Sequence, residues 1–250
     1  MKTARTRHPP APQRDWAYFL DVDGTLIDIA DTPDAVHVDA ELLALLERLQ
    51  RGGGVALALV SGRTIADIEP RLSGLGVPVA GQHGLERRDA LGRLHCHAPA
   101  ARAKQRVLQR LAPVLERYPE LLLEDKGMSL ALHYRQAPRL AGYLHRWLAH
   151  NVQEAGGGLS LQKGKRVVEV KPNGVDKGTA IEAFLGEPPY RGRRPVFIGD
   201  DVTDEHGFAV VNRLHGVSVK VGRGPSCARF RLRDVQAVRA WLALAAGARA

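Results

Sequence analysis

Cysteine and aromatic residues are scarce in this sequence. Only Cys96 and Cys227 occur among its 250 residues, and Phe, Trp and Tyr make up 5%. Two cysteines so far apart do not form a disulfide framework, a zinc site or a CxxC redox motif. No apolar run approaches the roughly 18 residues of a membrane-spanning helix, and none of signal-peptide length follows the N-terminus. We therefore expect a cytoplasmic protein with a packed core and a flexible tail over residues 1–15.

Basic residues outnumber acidic ones by 36 to 27, which gives a formal net charge of +9. The excess is spread along the chain, and little aromatic interleaving accompanies it. Nucleic-acid binding is typical of a concentrated basic patch, so nucleic acid is not an expected partner. A membrane is not expected either, because the sequence lacks a long apolar run. We expect a monomer whose charge attracts small anionic substrates.

Both ends of the chain alternate between apolar runs and helical patterns. In the first part, strands are predicted at residues 16–20, 55–60 and 77–80, and helices at 41–49 and 65–72. In the last part, helices are predicted at 177–184, 204–211 and 234–244, and strands at 196–199 and 217–221. Short, continuous apolar runs are typical of buried parallel strands. The alternation therefore predicts an α/β fold with a doubly wound, Rossmann-like sheet.

The middle of the chain follows another order, in which each helix precedes a hairpin. Helices are predicted at 102–117 and 139–154, and strands at 121–125, 128–135, 159–162 and 166–171. This order is typical of an α+β domain. We predict a cap domain over residues 88–171, inserted into a core formed by 16–87 and 172–250.

Acidic residues follow two of the predicted core strands. Asp21 and Asp23 come directly after the first strand, and Asp200, Asp201 and Asp204 follow a later one. Ligand sites in open α/β sheets form at the carboxyl ends of strands. Aspartate also favours turns and helix caps, and for Asp204 alone a cap is an equal alternative. The set as a whole predicts an oxygen-ligand site that suits Mg²⁺ better than zinc.

Two further features are suited to phosphate. Ser61, Gly62 and Arg63 end the second strand where a helix begins, and backbone N–H groups at a helix start bind anions. Lys177 opens a later helix and can offset phosphate charge. Either feature alone carries little weight, since a solvated lysine is common.

Four motifs of this sequence resemble those of the haloacid dehalogenase-like phosphatases. They are DVDGT at 21–25, SGR at 61–63, a lone lysine at 177 and GDDVTDE at 199–205. The resemblance implies that Asp21 attacks phosphorus to form an aspartyl-phosphate. It implies that Asp23 is the general acid and then the general base. The implied phosphate ligands are Ser61, Gly62 and Lys177; those of Mg²⁺ are Asp21, the Asp23 carbonyl and Asp200, with Asp204 or Asp201 in support.

The chain is also similar to the bacterial trehalose-6-phosphate phosphatase family, which carries an αββ-repeat (type IIB) cap. The resemblance rests on AGQHGLERRD at 80–89, EDKGMSLALHYR at 124–135, VVEVKP at 167–172 and GDDVTDEHGFAVVN at 199–212. It implies that the cap closes as a lid over trehalose 6-phosphate. The implied substrate-binding residues are Arg63, His83, Gly84, Glu124, Lys126, Ser129, His133 and Glu169. The sequence departs from the family pattern at Asp176, where Asn is frequent.

Three alternatives remain open at this point. A phosphatase of the same type could act on sucrose phosphate, mannosyl-phosphoglycerate or a hexose phosphate. A mutase would pass the phosphoryl group to a second sugar, and a silent binding module would only retain the ligand. A paired acid–base carboxylate argues against the last, because binding alone does not require one.

Overall fold

The computed structural model describes residues 7–29, 36–51, 54–97, 100–156 and 158–247. The chain forms two compact units: a core unit of residues 1–96 and 176–250, and an inserted unit of residues 97–175. The predicted inserted unit, 88–171, begins nine residues before the observed one and ends four residues before it. No helix within the described ranges is long and apolar enough to cross a membrane.

Strands and α-helices make up much of the described chain. The strands are β1 (Ala17–Leu20), β2 (Ala56–Val60), β3 (Val79–Gly81), β4 (Glu86–Arg88), β5 (Leu94–Cys96), β6 (Leu122–Asp125), β7 (Leu130–His133), β8 (Leu159–Gly164), β9 (Val167–Pro172), β10 (Pro195–Gly199), β11 (Val217–Val221) and β12 (Phe230–Leu232). The α-helices are α1 (Ala40–Arg51), α2 (Ile65–Arg71), α3 (Ala101–Arg117), α4 (Ala141–Ala155), α5 (Lys177–Leu185), α6 (Glu205–Arg213) and α7 (Val235–Gly247).

The core unit is built on an eight-stranded sheet with the order β12-β11-β10-β1-β2-β3-β4-β5. The six strands from β12 to β3 are parallel, while β4 and β5 join antiparallel at one edge. That hairpin explains why the unit border lies after Cys96. Its strands, ERR and LHC, lack the apolar run that made the other core strands predictable.

Helices cover both faces of this sheet, as the sequence predicts for a doubly wound fold. Successive side chains of a strand point to opposite faces, and those of β1 join two separate clusters. Tyr18 and Leu20 pack with the leucines of α1 and with Trp241 of α7, whereas Phe19 packs with residues of α5 and α6 such as Phe184. Both clusters are buried, so the sheet is the middle layer of three.

Residues 7–13 lie against the core unit. The amide of Arg231 donates to the carbonyl of Arg7 at 3.0 Å, and the indole of Trp241 donates to the carbonyl of Pro10 at 3.0 Å. Part of the segment predicted as a flexible tail is thus hydrogen-bonded. Residues 1–6 of that prediction lie outside the described residues.

The inserted unit contains an antiparallel sheet with the order β6-β7-β9-β8. Leu130 and Leu132 of β7 pack with side chains of α3 and α4 such as Leu111 and Leu144. Helix α3 continues through Pro113 without a break. Because strand side chains alternate, Ala131 and His133 belong to the other face of the sheet.

Candidate functional site

The core unit brings three buried aspartates together. Asp21 follows β1 and Asp200 follows the adjacent parallel strand β10, and Asp204 ends a short 3-10 turn, Val202–Asp204. One oxygen from each carboxylate lies within 4.8 Å of the others. Parallel strands present their carboxyl ends at one edge of a sheet, which is why residues far apart in sequence meet here.

Lys177 lies among these carboxylates. Its ammonium donates to Asp21 Oδ1 at 2.7 Å and to Asp204 Oδ1 at 2.6 Å, and its side chain is 3% exposed. The residue is placed by the start of α5, where the Asp176 carboxylate accepts from the Thr179 amide at 2.9 Å. Asp176 therefore serves as a helix cap.

The pKa values of this group follow from burial and charge. Burial raises the pKa of Asp21 well above its usual value, the Lys177 ammonium lowers it, and the charges of Asp204 and Asp200 raise it again. Burial lowers the pKa of Lys177, but Asp204 and Asp21 outweigh burial and raise it overall. A buried lysine between two carboxylates remains charged because the charged form is the paired one.

Asp204, and not Asp201, completes the acidic group. The second oxygen of Asp204 accepts from the Asp201 amide at 2.8 Å, while Asp201 is the N-cap of the short turn. Three buried carboxylates around one ammonium leave negative charge in excess. Such an oxygen donor set fits a hard divalent cation and offers no nitrogen or sulfur ligand for zinc.

Gly24 allows the loop after β1 to approach this group. Its φ angle is +78°, and a Cβ atom at this position would lie 2.3 Å from Asp200 Oδ2. Any side chain would therefore be strained by the backbone and would also displace a carboxylate. The glycine of the DVDGT motif is required on both counts.

The phosphate-type loop follows β2 and packs on His83. Ser61 is buried, and its hydroxyl accepts from the Arg63 amide at 3.1 Å. A Cβ atom on Gly62 would lie 2.8 Å from the His83 ring. The loop leads into α2, whose first turn is capped by the Thr64 hydroxyl. These contacts place His83, for which the resemblance implies a role in substrate binding, beside the loop.

Two neighbouring residues, Gln82 and His83, have φ angles of 46° and 59°. A left-handed conformation costs a non-glycine residue roughly 1–2 kcal/mol. Two backbone hydrogen bonds stabilise this left-handed conformation. The Gln82 amide donates to the Arg63 carbonyl at 2.7 Å, and the His83 amide donates to the Ser61 carbonyl at 2.8 Å. Gly84, also predicted at the site, follows with a positive φ of 103°.

Sequence reasoning missed Lys220. This residue lies on β11, is 5% exposed, and its ammonium donates to the backbone carbonyl of Asp200. The available signal was a lysine within the otherwise apolar run VSVKV. A lysine in a strand buried on both faces needs a partner, and the acidic loop after the neighbouring strand supplies one.

In the inserted unit, four of the five predicted sugar-binding residues form two hydrogen-bonded pairs. The Lys126 ammonium donates to Glu169 Oε1 at 2.8 Å, with both side chains under 10% exposed. His133 Nε2 lies 3.0 Å from Glu124 Oε2, and this hydrogen bond holds the pKa of Glu124 below its usual value.

The strand register explains this grouping of polar side chains. Ala131 of β7 pairs with Glu124 on one side and with Glu169 on the other. The two glutamates therefore flank a methyl group on one face of the sheet. Ser129, just before β7, is buried. All five predicted residues of the inserted unit thus belong to β6, β7, β9 or the turn between β6 and β7.

Comparisons with known proteins identify the relatives of this chain. A family model described as Trehalose-phosphatase matches residues 19–236. "Trehalose-6-phosphate phosphatase" of Escherichia coli (strain K12) is 47% identical over 93% of this chain and 87% of that protein. A "Probable trehalose-phosphate phosphatase" of Sinorhizobium fredii is 46% identical over 83% of this chain and 78% of that protein.

Solved structures show the same fold. A "trehalose-6-phosphate phosphatase related protein" aligns with a TM-score of 0.74 and 26% identity, over 91% of this chain and 95% of that one. The C-terminal domain of a C. albicans trehalose-6-phosphate phosphatase aligns with a TM-score of 0.81 and 23% identity, over 98% and 99% of the two chains. The family model and the two sequence relatives show that the chain belongs to the trehalose-phosphatase family.

Proposed function

We propose that this chain hydrolyses trehalose 6-phosphate to trehalose and inorganic phosphate, with Asp21 as the nucleophile. The observation that carries the proposal is the buried Asp21 carboxylate at a strand end, oriented by Lys177 at 2.7 Å and grouped with Asp200 and Asp204. Phosphoryl transfer depends mainly on positioning and on neutralising charge. This group offers both.

The reaction proceeds in two steps. An Asp21 oxygen attacks phosphorus, the bond from phosphorus to the sugar oxygen breaks, and Asp23 protonates the departing oxygen. A water molecule then attacks the aspartyl-phosphate, Asp23 takes its proton, and Asp21 and phosphate are released. Ser61, the Gly62 backbone and Lys177 hold the phosphoryl oxygens.

The proposed cofactor is Mg²⁺, held by Asp21, Asp200 and Asp204 together with the Asp23 backbone carbonyl. The buried, oxygen-only donor set supports this assignment. When bound, the ion neutralises charge on the phosphoryl group.

The polar face of the inserted unit is proposed to bind the sugar. Trehalose has no ionised group, so its recognition depends on hydrogen bonds to hydroxyls. Lys126 supplies a charged donor, and Glu169 supplies a charged acceptor beside it. Charge-assisted hydrogen bonds are roughly twice as strong as neutral ones.

Glu169→Ala tests the sugar assignment. We expect kcat/KM to fall at least about 10-fold more on trehalose 6-phosphate than on p-nitrophenyl phosphate, since a charged hydrogen bond contributes about 1.5–3 kcal/mol. Glu154→Ala is the matched control, because Glu154 is an exposed glutamate of the same unit that pairs with Arg110. Equal losses on both substrates would remove Glu169 from the sugar site.

Phosphate release from a panel of sugar phosphates tests the activity itself. Wild type and Asp21→Asn are compared with Mg²⁺ and with EDTA. The proposal requires the highest kcat/KM on trehalose 6-phosphate, with release lost in EDTA and in the variant. A preference for sucrose phosphate or a hexose phosphate would overturn the substrate assignment, and release that persists in Asp21→Asn would overturn the nucleophile.

A further inference from the structure

Arg63 holds both oxygens of the Asp23 carboxylate. Its Nε donates to Asp23 Oδ2 at 2.7 Å, and its Nη2 donates to Asp23 Oδ1 at 2.8 Å. The Arg63 side chain is 12% exposed and that of Asp23 is 33% exposed. A two-point contact between planar groups fixes both the position and the orientation of the carboxylate.

The other side of the Arg63 guanidinium is tied to helix α2. Its Nη1 donates to Asp67 Oδ2 at 2.6 Å, and the other Asp67 oxygen accepts from Arg71 Nη2 at 2.8 Å. Arg71 also donates to the Val36 carbonyl at 3.0 Å. Asp23, in the loop after β1, is thus connected through Arg63 to Asp67 of helix α2.

Charge supports this chain of contacts. Burial lowers the pKa of Arg63, but its hydrogen bonds to the carboxylates of Asp23 and Asp67 outweigh burial and raise the pKa overall. Burial raises the pKa of Asp67, but the hydrogen bonds from Arg63 and Arg71 outweigh burial, so the pKa of Asp67 lies below its usual value. The link between Arg63 and Asp67 therefore joins opposite charges.

We propose that Arg63 is a positioning residue for the Asp23 carboxylate, and that it acts through this contact and not as a ligand of the sugar or the phosphate. The inference rests on the proposed acid–base role of Asp23. Three of the five guanidinium N–H groups donate to carboxylates, so most of the hydrogen-bonding capacity of Arg63 is directed at Asp23 and Asp67. A carboxylate offers about four lone-pair directions, so the two that Arg63 takes leave others for the leaving oxygen or for water.

The test is the dependence of kcat/KM on the leaving group, measured for wild type and Arg63→Lys. A lysine retains the charge but cannot make the two-point contact. The substrates are p-nitrophenyl phosphate, phenyl phosphate and trehalose 6-phosphate. A nitrophenolate departs readily without a proton, whereas phenolate and a sugar alkoxide depend on one.

We expect Arg63→Lys to lose less than about 3-fold on p-nitrophenyl phosphate but about 10- to 100-fold on the two poorer leaving groups, because misplacing a catalytic group by 1 Å can cost about 10²-fold. A uniform loss on all three substrates indicates a phosphate contact or a general structural role. A loss on trehalose 6-phosphate alone indicates a sugar contact. Either result overturns the inference.

Three further variants complete the test. Asp23→Asn must show the same selective loss, because otherwise the acid role of Asp23 fails, independently of Arg63. Asp67→Asn weakens the contacts of Asp67 with Arg63 and Arg71, leaves the Asp23 carboxylate in place and should give a weaker selective loss. If Arg63→Lys does not fold, a uniform loss or no loss in Asp67→Asn overturns the inference. Arg88→Lys alters a similar arginine–carboxylate pair, with Glu69 of the same helix, and should leave all three substrates unchanged. A selective loss in Arg88→Lys would also overturn the inference.

Discussion

Replacing Lys177 with methionine removes the charge that joins the acidic group. The substitution retains a long, flexible side chain, so the change in packing is small. It leaves Asp21 and Asp204 without an ammonium that lies within 2.7 Å of both. Both carboxylates are almost fully buried, and water therefore cannot replace the lost partner.

The expected magnitude follows from this burial. Removing one partner of a buried ion pair destabilises a protein by about 3–5 kcal/mol. The carboxylates can reduce that loss by binding a proton, since burial already raises the pKa of Asp21. A folded-state pKa above the unfolded value of about 4 means that stability falls as pH rises between the two values. The destabilisation should thus be smaller near pH 4 than at pH 8.

Urea unfolding measured by tryptophan fluorescence is a suitable assay. Trp16 and Trp241 are buried in the core unit, whereas Trp147 belongs to the inserted unit. A Trp147→Phe background therefore reports on the core unit alone. EDTA keeps divalent ions from replacing the lost charge, and Arg48→Met, at an exposed cation of α1, serves as the control.

A second substitution sharpens the outcome. In Lys177→Met, adding Asp204→Asn removes one of the two unpaired charges and should restore part of the lost stability, whereas Asp204→Asn in the wild type should destabilise. The result that counts against this is a free energy of unfolding that falls by less than about 1 kcal/mol in Lys177→Met at pH 8, with a loss that does not vary with pH. The acidic group would then not be held together by charge. That result would refute the reasoning.

Two other predictions concern the loop after β1 and the inserted unit. Gly24→Ala should raise the Mg²⁺ concentration for half-maximal activity, because its Cβ would lie 2.3 Å from Asp200. Gly92→Ala is the control: Gly92 has the same φ of +78° but lies in open space, so its substitution should leave the Mg²⁺ dependence unchanged. Equal Mg²⁺ dependence in both variants would contradict the steric argument. His145 packs edge-on against Tyr134, and burial, with the charge of Lys163, lowers its pKa. The unfolded state therefore binds more protons below about pH 6.5, and the melting temperature of the wild type should fall from pH 7.5 to 5.5; a fall of equal size in His145→Gln would contradict this.

The strand ends of the core could be predicted because their signals are local. A short apolar run followed by aspartate shows where β1 and β10 stop, and the rules for parallel sheets then bring Asp21 and Asp200 together. The hairpin of β4 and β5 could not be assigned in the same way. Its strands are polar, and their pairing depends on the edge of β3 and not on a pattern of their own.

Roles that depend on contacts between distant residues were also beyond the sequence. The resemblance implies that Arg63 binds substrate, yet the structure places its side chain on Asp23, 40 positions away in sequence. The sequence could not choose between Asp201 and Asp204, because both follow the same strand. In the structure, Asp204 contacts the Lys177 ammonium and groups with Asp21 and Asp200.

The formal charges around the acidic group explain why a cation and a phosphate would bind there together. Asp21, Asp200 and Asp204 carry three negative charges, and Lys177 and Lys220, which contact them, carry two positive ones. The group alone is therefore net negative and would repel a phosphate dianion. A divalent cation reverses the sign, and the dianion then restores the original charge. Each ligand thus favours the other, so the affinity for phosphate should increase with Mg²⁺ by the same factor as the affinity for Mg²⁺ increases with phosphate.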